Sequence, residues 1–92
     1  MYDITDYSYN QARALGVSIK PSKKTKYKID VHDKYGKYML SIGAKGYDDY
    51  PTYIKTKGLE YANERRKLYK SRHNKDRHIQ NSRGFFADKI LW

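Results

Sequence analysis

Two short runs in which apolar and polar residues alternate constrain the fold of this chain more than any other feature. Tyr27, Ile29 and Val31 alternate with Lys28, Asp30 and His32; beyond Asp33-Lys34-Tyr35-Gly36, Tyr38, Leu40 and Ile42 alternate with Lys37, Met39 and Ser41. Successive side chains of a strand point to opposite faces, so a period of two collects each apolar set on one side. With a glycine-containing turn between them, the runs predict an antiparallel β-hairpin. Its branched and aromatic face, Tyr27 and Tyr38 included, is expected to enter a core, while the lysines, Asp30 and His32 meet solvent. An isolated hairpin is marginal in water, so another element must cover the apolar face.

Helical spacing elsewhere supplies one. From Leu59 to about His73, Tyr61, Ala62, Leu68 and Tyr69 fall on one face at 100° per residue, with Arg65 and Arg72 among them and Arg66, Lys67 and Lys70 opposite. Tyr7 to Leu15 predicts a short helix, with Ser8 as N-cap, Tyr9, Ala12 and Leu15 at near-helical spacing and Gly16 as the stop. Ser82 to Trp92 holds Phe85, Phe86, Ile90, Leu91 and Trp92 and is too apolar to trail in water. It is expected to dock as a short helix or turn, with Phe85, Phe86 and Trp92 as hydrophobic anchors. Gly43-Ala44-Lys45-Gly46 ends the hairpin, and Asp48, Asp49 and Pro51 read as a loop.

Five lysines, one proline and no acid lie between Lys20 and Lys28, which reads as an exposed arm that orders on binding. The expected fold is therefore a small α+β single domain: an antiparallel hairpin packed against one longer basic helix, with short N- and C-terminal helices. Along the chain this divides into a helical segment 1–19, a basic linker 20–26 and a hairpin-plus-helix domain 27–92.

Ninety-two residues leave room for one modest core. There is no cysteine, which excludes disulfide staples and thiolate zinc and suits a reducing compartment. The first nine residues carry Asp3 and Asp6 and no apolar stretch, unlike a signal peptide, and no run is apolar enough to span a bilayer. A charged fraction of 33% would favour disorder, but eleven tyrosines, two phenylalanines and a tryptophan supply the bulk that disordered chains lack. The formal net charge of +10 points to a polyanionic or acidic partner, and by itself fits nucleic acid, an acidic protein surface or anionic lipid equally.

The densest chemical feature is Arg65 to His78, with seven Lys or Arg residues in about four helical turns. Such density serves phosphate neutralisation or docking on acidic protein, and is also what a solvated helix face looks like. Lysines interleaved with Tyr27, Tyr35 and Tyr38 could hold phosphates while the rings stack on unpaired bases, although Tyr27 and Tyr38 read first as core. The expected partner-binding cations are Lys20, Lys23, Lys24, Lys26 and Lys28 in the arm and Arg66, Lys67 and Lys70 on the helix. Arg65 and Arg72, on an apolar stripe, need counter-charges, and Asp48 and Asp49 are the expected partners in internal ion pairs.

Catalysis finds little support. Asp48-Asp49 as a metal or catalytic pair lacks a third ligand, His73 and His78 sit five residues apart on different helix faces, and Gly43-Ala44-Lys45-Gly46 lacks the spacing of a phosphate-binding loop. No enzyme activity, cofactor, metal or small-molecule substrate is expected.

The order of motifs is itself informative. The hairpin is followed by Ile42-Gly43-Ala44-Lys45-Gly46-Tyr47-Asp48-Asp49-Tyr50, then Arg65-Arg66 with Tyr69 and Arg72-His73, then Gly84-Phe85-Phe86 and Ile90-Leu91-Trp92. Across residues 27 to 92 this resembles a family of small basic proteins of large double-stranded DNA viruses of eukaryotes. Ala87-Asp88 departs from it, since similar sequences carry an aromatic and a serine after the Gly-aromatic pair. The resemblance implies a virion protein, a minor capsid or cement component whose partners are capsid proteins, present in the host cytoplasm or nucleus during assembly. A nucleic-acid-binding or DNA-condensing protein is the alternative that the charge allows.

Overall fold

The computed structural model describes residues 2–92, which form two compact units that meet in sequence between Tyr47 and Asp48. The first holds helix α1 (Asp6–Leu15) and strands β1 (Ser18–Pro21), β2 (Tyr27–His32) and β3 (Tyr38–Ala44); the second holds helices α2 (Tyr50–Lys57), α3 (Leu59–Arg72) and α4 (Arg83–Leu91), with a 3-10 turn at Asp76–His78. The chain is α+β, as its patterns predict.

The hairpin forms where the alternation places it, and pairs Ile29 with Ile42 and Val31 with Leu40. Ile29, Val31 and Ile42 are fully buried. At the turn the register shifts: Val31 faces Leu40 but His32 faces Tyr38, leaving Met39 as the extra residue of a β-bulge. A bulge moves the residues beyond it to the other face. Tyr38 therefore leaves the apolar side, contrary to strict alternation, and joins Ser41 and Asp30 with 44% of its surface exposed.

A third strand straddles the boundary between the expected helical segment 1–19 and the expected basic linker 20–26. β1 completes an antiparallel β1-β2-β3 sheet, with Ile19 opposite Val31, Lys20 opposite Asp30 and Pro21 opposite Ile29. Its four residues contain one strong apolar group, Ile19, and a proline, which an edge strand tolerates because one side of its ladder is unpaired. The following connection is a knit turn rather than a free arm: the backbone of Ser22 donates to Lys28 and its hydroxyl accepts from the Lys24 amide. α1 starts one residue before the expected helix and is capped by Thr5, whose hydroxyl accepts from the Ser8 amide; Ser8 itself is buried.

In the second unit, the expected loop around Pro51 is helix α2. Asp49 is its N-cap and accepts from the Thr52 amide at 3.1 Å, and Pro51 sits in the first turn, where the amide it lacks has no intrahelical partner. α3 spans the expected residues, but its buried positions are Ala62 and Tyr69, while Tyr61 and Leu68 stay 45% and 52% exposed. Arg65 and Arg66 flank the buried stripe, and Arg72 is exposed rather than inward. α4 is the expected C-terminal helix, capped by the Ser82 hydroxyl at the Phe85 amide, with Phe86, Ile90 and Leu91 buried. The anchors divide: Phe86 is buried, Phe85 packs edge-on against it, and Trp92 stacks on Tyr69 at 4.3 Å with planes 7° apart. No helix among the described residues is long and apolar enough to cross a membrane.

Candidate functional site

The strongest candidate is the polar side of the sheet together with the β1–β2 connection. Here Lys24 Nζ donates to the Tyr38 hydroxyl at 2.6 Å, Tyr38 lies 2.8 Å from Ser41 Oγ, and Ser41 donates to Asp30 Oδ1 at 2.6 Å. Ser41 has one proton and gives it to Asp30, so Tyr38 must donate to Ser41, and the chain of donors runs from ammonium to carboxylate. Bonds aligned in this sense strengthen one another. The ammonium contact, then Ser41, lowers the Tyr38 phenol below its ordinary value, and the Tyr38 hydrogen bond raises the Lys24 ammonium. Partial burial pushes the Asp30 carboxyl up, but the Ser41 and Ser22 hydroxyls and the Lys24 charge outweigh it and hold the group below the usual range.

Two hydroxyls thus link the Lys24 ammonium to the Asp30 carboxylate. The other expected cations of the segment fare differently. Lys20, Lys23 and Lys26 are exposed, and none forms an ion pair among the described residues; Lys45 donates its backbone amide to the Lys26 carbonyl, which adds a fourth exposed ammonium to the same end of the sheet. Lys28 is not a docking cation: it is buried, its ammonium donates to the Tyr47 carbonyl and lies 5.2 Å from the Tyr2 ring centre. At the hairpin tip, Asp33 Oδ1 accepts from the amides of Tyr35 and Lys37, and Gly36 takes φ 85°, a conformation other residues resist. This fixed turn presents Tyr35 with 83% of its surface exposed, flanked by Lys34 and Lys37.

The helical unit corrects the expected outward cations. Arg66 lies 3.6 Å from the Tyr50 ring centre, half-buried, and Tyr50 donates to Asn63. Lys70 pairs at 2.7 Å with Asp88, whose side chain is wholly buried. Of the three, Lys67 alone is exposed.

The expected internal ion pairs are also replaced. Asp49 is buried as a helix cap, and Asp48 is exposed. Arg65 lies over Tyr53 at 5.7 Å, and neither it nor Arg72 pairs with a carboxylate among the described residues. As a cap, the Asp49 carboxylate accepts from a backbone amide of the first turn of α2. An internal ion pair that the sequence pattern did not predict joins Lys70 to Asp88. The signal was present: a lone acid inside the apolar run Phe85 to Trp92 demands a cation. Nearby, His73 stacks on Tyr69 at 4.3 Å and meets Asp76 at 3.4 Å. No group of three or more His, Asp or Glu that could hold a metal occurs among the described residues.

The chemistry of the sheet site is that of a cationic, hydrogen-bond-donating surface. It presents unpaired ammonium groups beside an oriented hydroxyl chain and exposed tyrosines. No protein-family model, curated protein or solved structure matches the chain.

Proposed function

We propose that this chain is a non-enzymatic structural protein of a virion, a minor capsid or cement component that docks on acidic protein surfaces through its basic faces. The observation that carries the reading is the uncompensated charge of Lys20, Lys23, Lys26 and Lys45 at one end of the sheet. The nearby Asp30 and Asp33 accept from Ser41 and from turn amides respectively, and neither forms an ion pair with these lysines among the described residues. Nine basic residues face four acids in residues 1–47, and eleven face six in 48–92, so each unit carries five of the ten net charges. Such fields speed encounter and select partners of opposite sign. The order of motifs that resembles small basic viral proteins supplies the virion context.

Mass spectrometry of purified particles of the encoding virus tests the proposal. The chain is expected among the particle proteins at a reproducible stoichiometry; its presence in infected cells and absence from particles would refute the assignment.

Nucleic-acid binding is the second reading, favoured by Tyr35 held out between Lys34 and Lys37, an arrangement suited to stacking an unpaired base. Titration with duplex and single-stranded DNA at rising salt separates the two. Micromolar affinity at about 150 mM salt with a slope of several phosphates would select nucleic acid.

A further inference from the structure

One face of α3 carries large apolar and cationic groups together. Tyr61, Arg65, Leu68 and Arg72 recur at intervals of four, three and four residues and so form a single stripe along the helix. Tyr61 and Leu68 leave about half their surface to solvent. Arg65 lies over the Tyr53 ring while its shielded Nε has no hydrogen-bond acceptor, and Arg72 is exposed; neither forms an ion pair among the described residues. Glu64, also exposed, is the acid that flanks the stripe.

The aromatic end of the stripe is braced. Tyr61 meets Tyr53 edge-on at 5.3 Å, Tyr53 lies 6.2 Å from Trp92, and Trp92 stacks on Tyr69. Rings held this way lose little freedom when a partner covers them. Trp, Tyr and Arg around an exposed Leu is also the composition enriched at the energetic centres of protein interfaces.

We propose that this stripe docks an acidic, amphipathic helix of a partner protein. Leucine-type side chains of the partner cover Tyr61 and Leu68, and carboxylates two turns apart meet Arg65 and Arg72, whose seven-residue separation corresponds to about 10.5 Å along a helix. Charge complementarity chooses the occupant. In a symmetric contact between two copies, arginines face arginines across the axis, which like charges oppose. A phosphate backbone leaves Leu68 without apolar cover and finds only two cations along the stripe. The proposal rests on the reading that the partner is an acidic protein, but it uses residues distinct from the lysines of the sheet.

The test titrates the full chain with an 18-residue glutamate-rich peptide carrying leucine at alternating three- and four-residue intervals, at about 150 mM salt, where long-range charge effects are screened. Binding is read from the fluorescence of Trp92, the only tryptophan, and from amide chemical shifts. Saturable binding is expected, with shifts confined to Tyr53, residues 61–72 and Trp92. Leu68→Ser and Arg72→Glu are each expected to weaken it at least tenfold with circular dichroism unchanged, whereas Lys23→Glu/Lys26→Glu leaves it intact.

Equal binding of a peptide whose leucines are replaced by serine, or shifts outside the stripe, overturns the proposal. So does tighter binding of a 20-nucleotide strand to the same residues, or sedimentation showing that Leu68 mediates self-association. Absence of the chain from particles would defeat the virion assignment and leave this titration standing, so the two failures are distinguishable.

Discussion

Asp88 shows how much depends on one neighbour. A carboxylate with no exposed side-chain surface is stable only beside a compensating charge, and Lys70 supplies it at 2.7 Å, with Lys89 at 3.8 Å from the second oxygen. Lys70→Met leaves that charge buried and is expected to destabilise the protein by about 2–3 kcal/mol, less than for a fully buried pair because Lys70 is partly exposed. Urea unfolding midpoints measure this. Adding Asp88→Asn to Lys70→Met removes the stranded charge, so the double variant is expected to lie closer to wild type than the sum of the single losses.

Tyr69, four residues from His73 and stacked under Trp92, gives a pH prediction. Burial, followed by the carboxylates of Asp88 and Asp76, pushes its phenol up from 10 to about 12 against a smaller opposing effect of Arg72. The folded state thus keeps a proton that the unfolded chain loses. The corresponding stability is fully present below pH 10 and disappears as the pH rises to about 12, an effect of about 2–3 kcal/mol. The fall in unfolding free energy between pH 10 and 12 is expected to be smaller in Tyr69→Phe by that amount. An equal fall in both proteins would contradict the assignment.

At the scale of elements, α4 illustrates a conflict between propensity and packing. A helical Gly84→Ala change ordinarily stabilises by about 0.5–1 kcal/mol. Here a Cβ at Gly84 would lie 2.7 Å from Asp76 Cβ and 3.0 Å from the Asp76 carbonyl carbon and oxygen. Two of those atoms are backbone, so relief requires moving the 3-10 turn or α4. Gly84→Ala is expected to destabilise by about 1–3 kcal/mol, measured by thermal or urea unfolding. Close approach accounts for glycine in Gly84-Phe85-Phe86 without invoking a ligand.

The elements also differ in how far local sequence predicts them. The hairpin, α3 and the C-terminal helix carry continuous periodicity or a dense apolar run and were readable. β1 has one buried apolar residue, Ile19, and takes strand form because β2 offers its edge. α2 was hidden by Pro51, which marks a loop as readily as a first helical turn. The Met39 bulge leaves no mark on the alternation, yet it carries Tyr38 into the Lys24–Ser41–Asp30 network and so creates much of the sheet site.

For the whole molecule, charge is the dominant quantity. Lys23→Glu, Lys26→Glu and Lys45→Glu together lower the net charge from +10 to +4 while changing only exposed groups. Folding is expected to be retained, and retention on an immobilised poly-glutamate surface at about 150 mM salt is expected to fall at least tenfold. Unaltered retention would remove the sheet lysines from the docking surface.

Composition and periodicity were enough to establish an α+β chain, its hairpin, its main helix and its excess of positive charge, because these depend on residues close together in sequence. Which cations remain available was decided only in three dimensions. Lys28, Arg66 and Lys70 turn to a carbonyl, an aromatic ring and a buried carboxylate, while Arg72 and the lysines around the β1–β2 connection stay exposed. A side chain's partner is set by distance in space, and residues sixteen or more positions apart meet only once the backbone has brought them together.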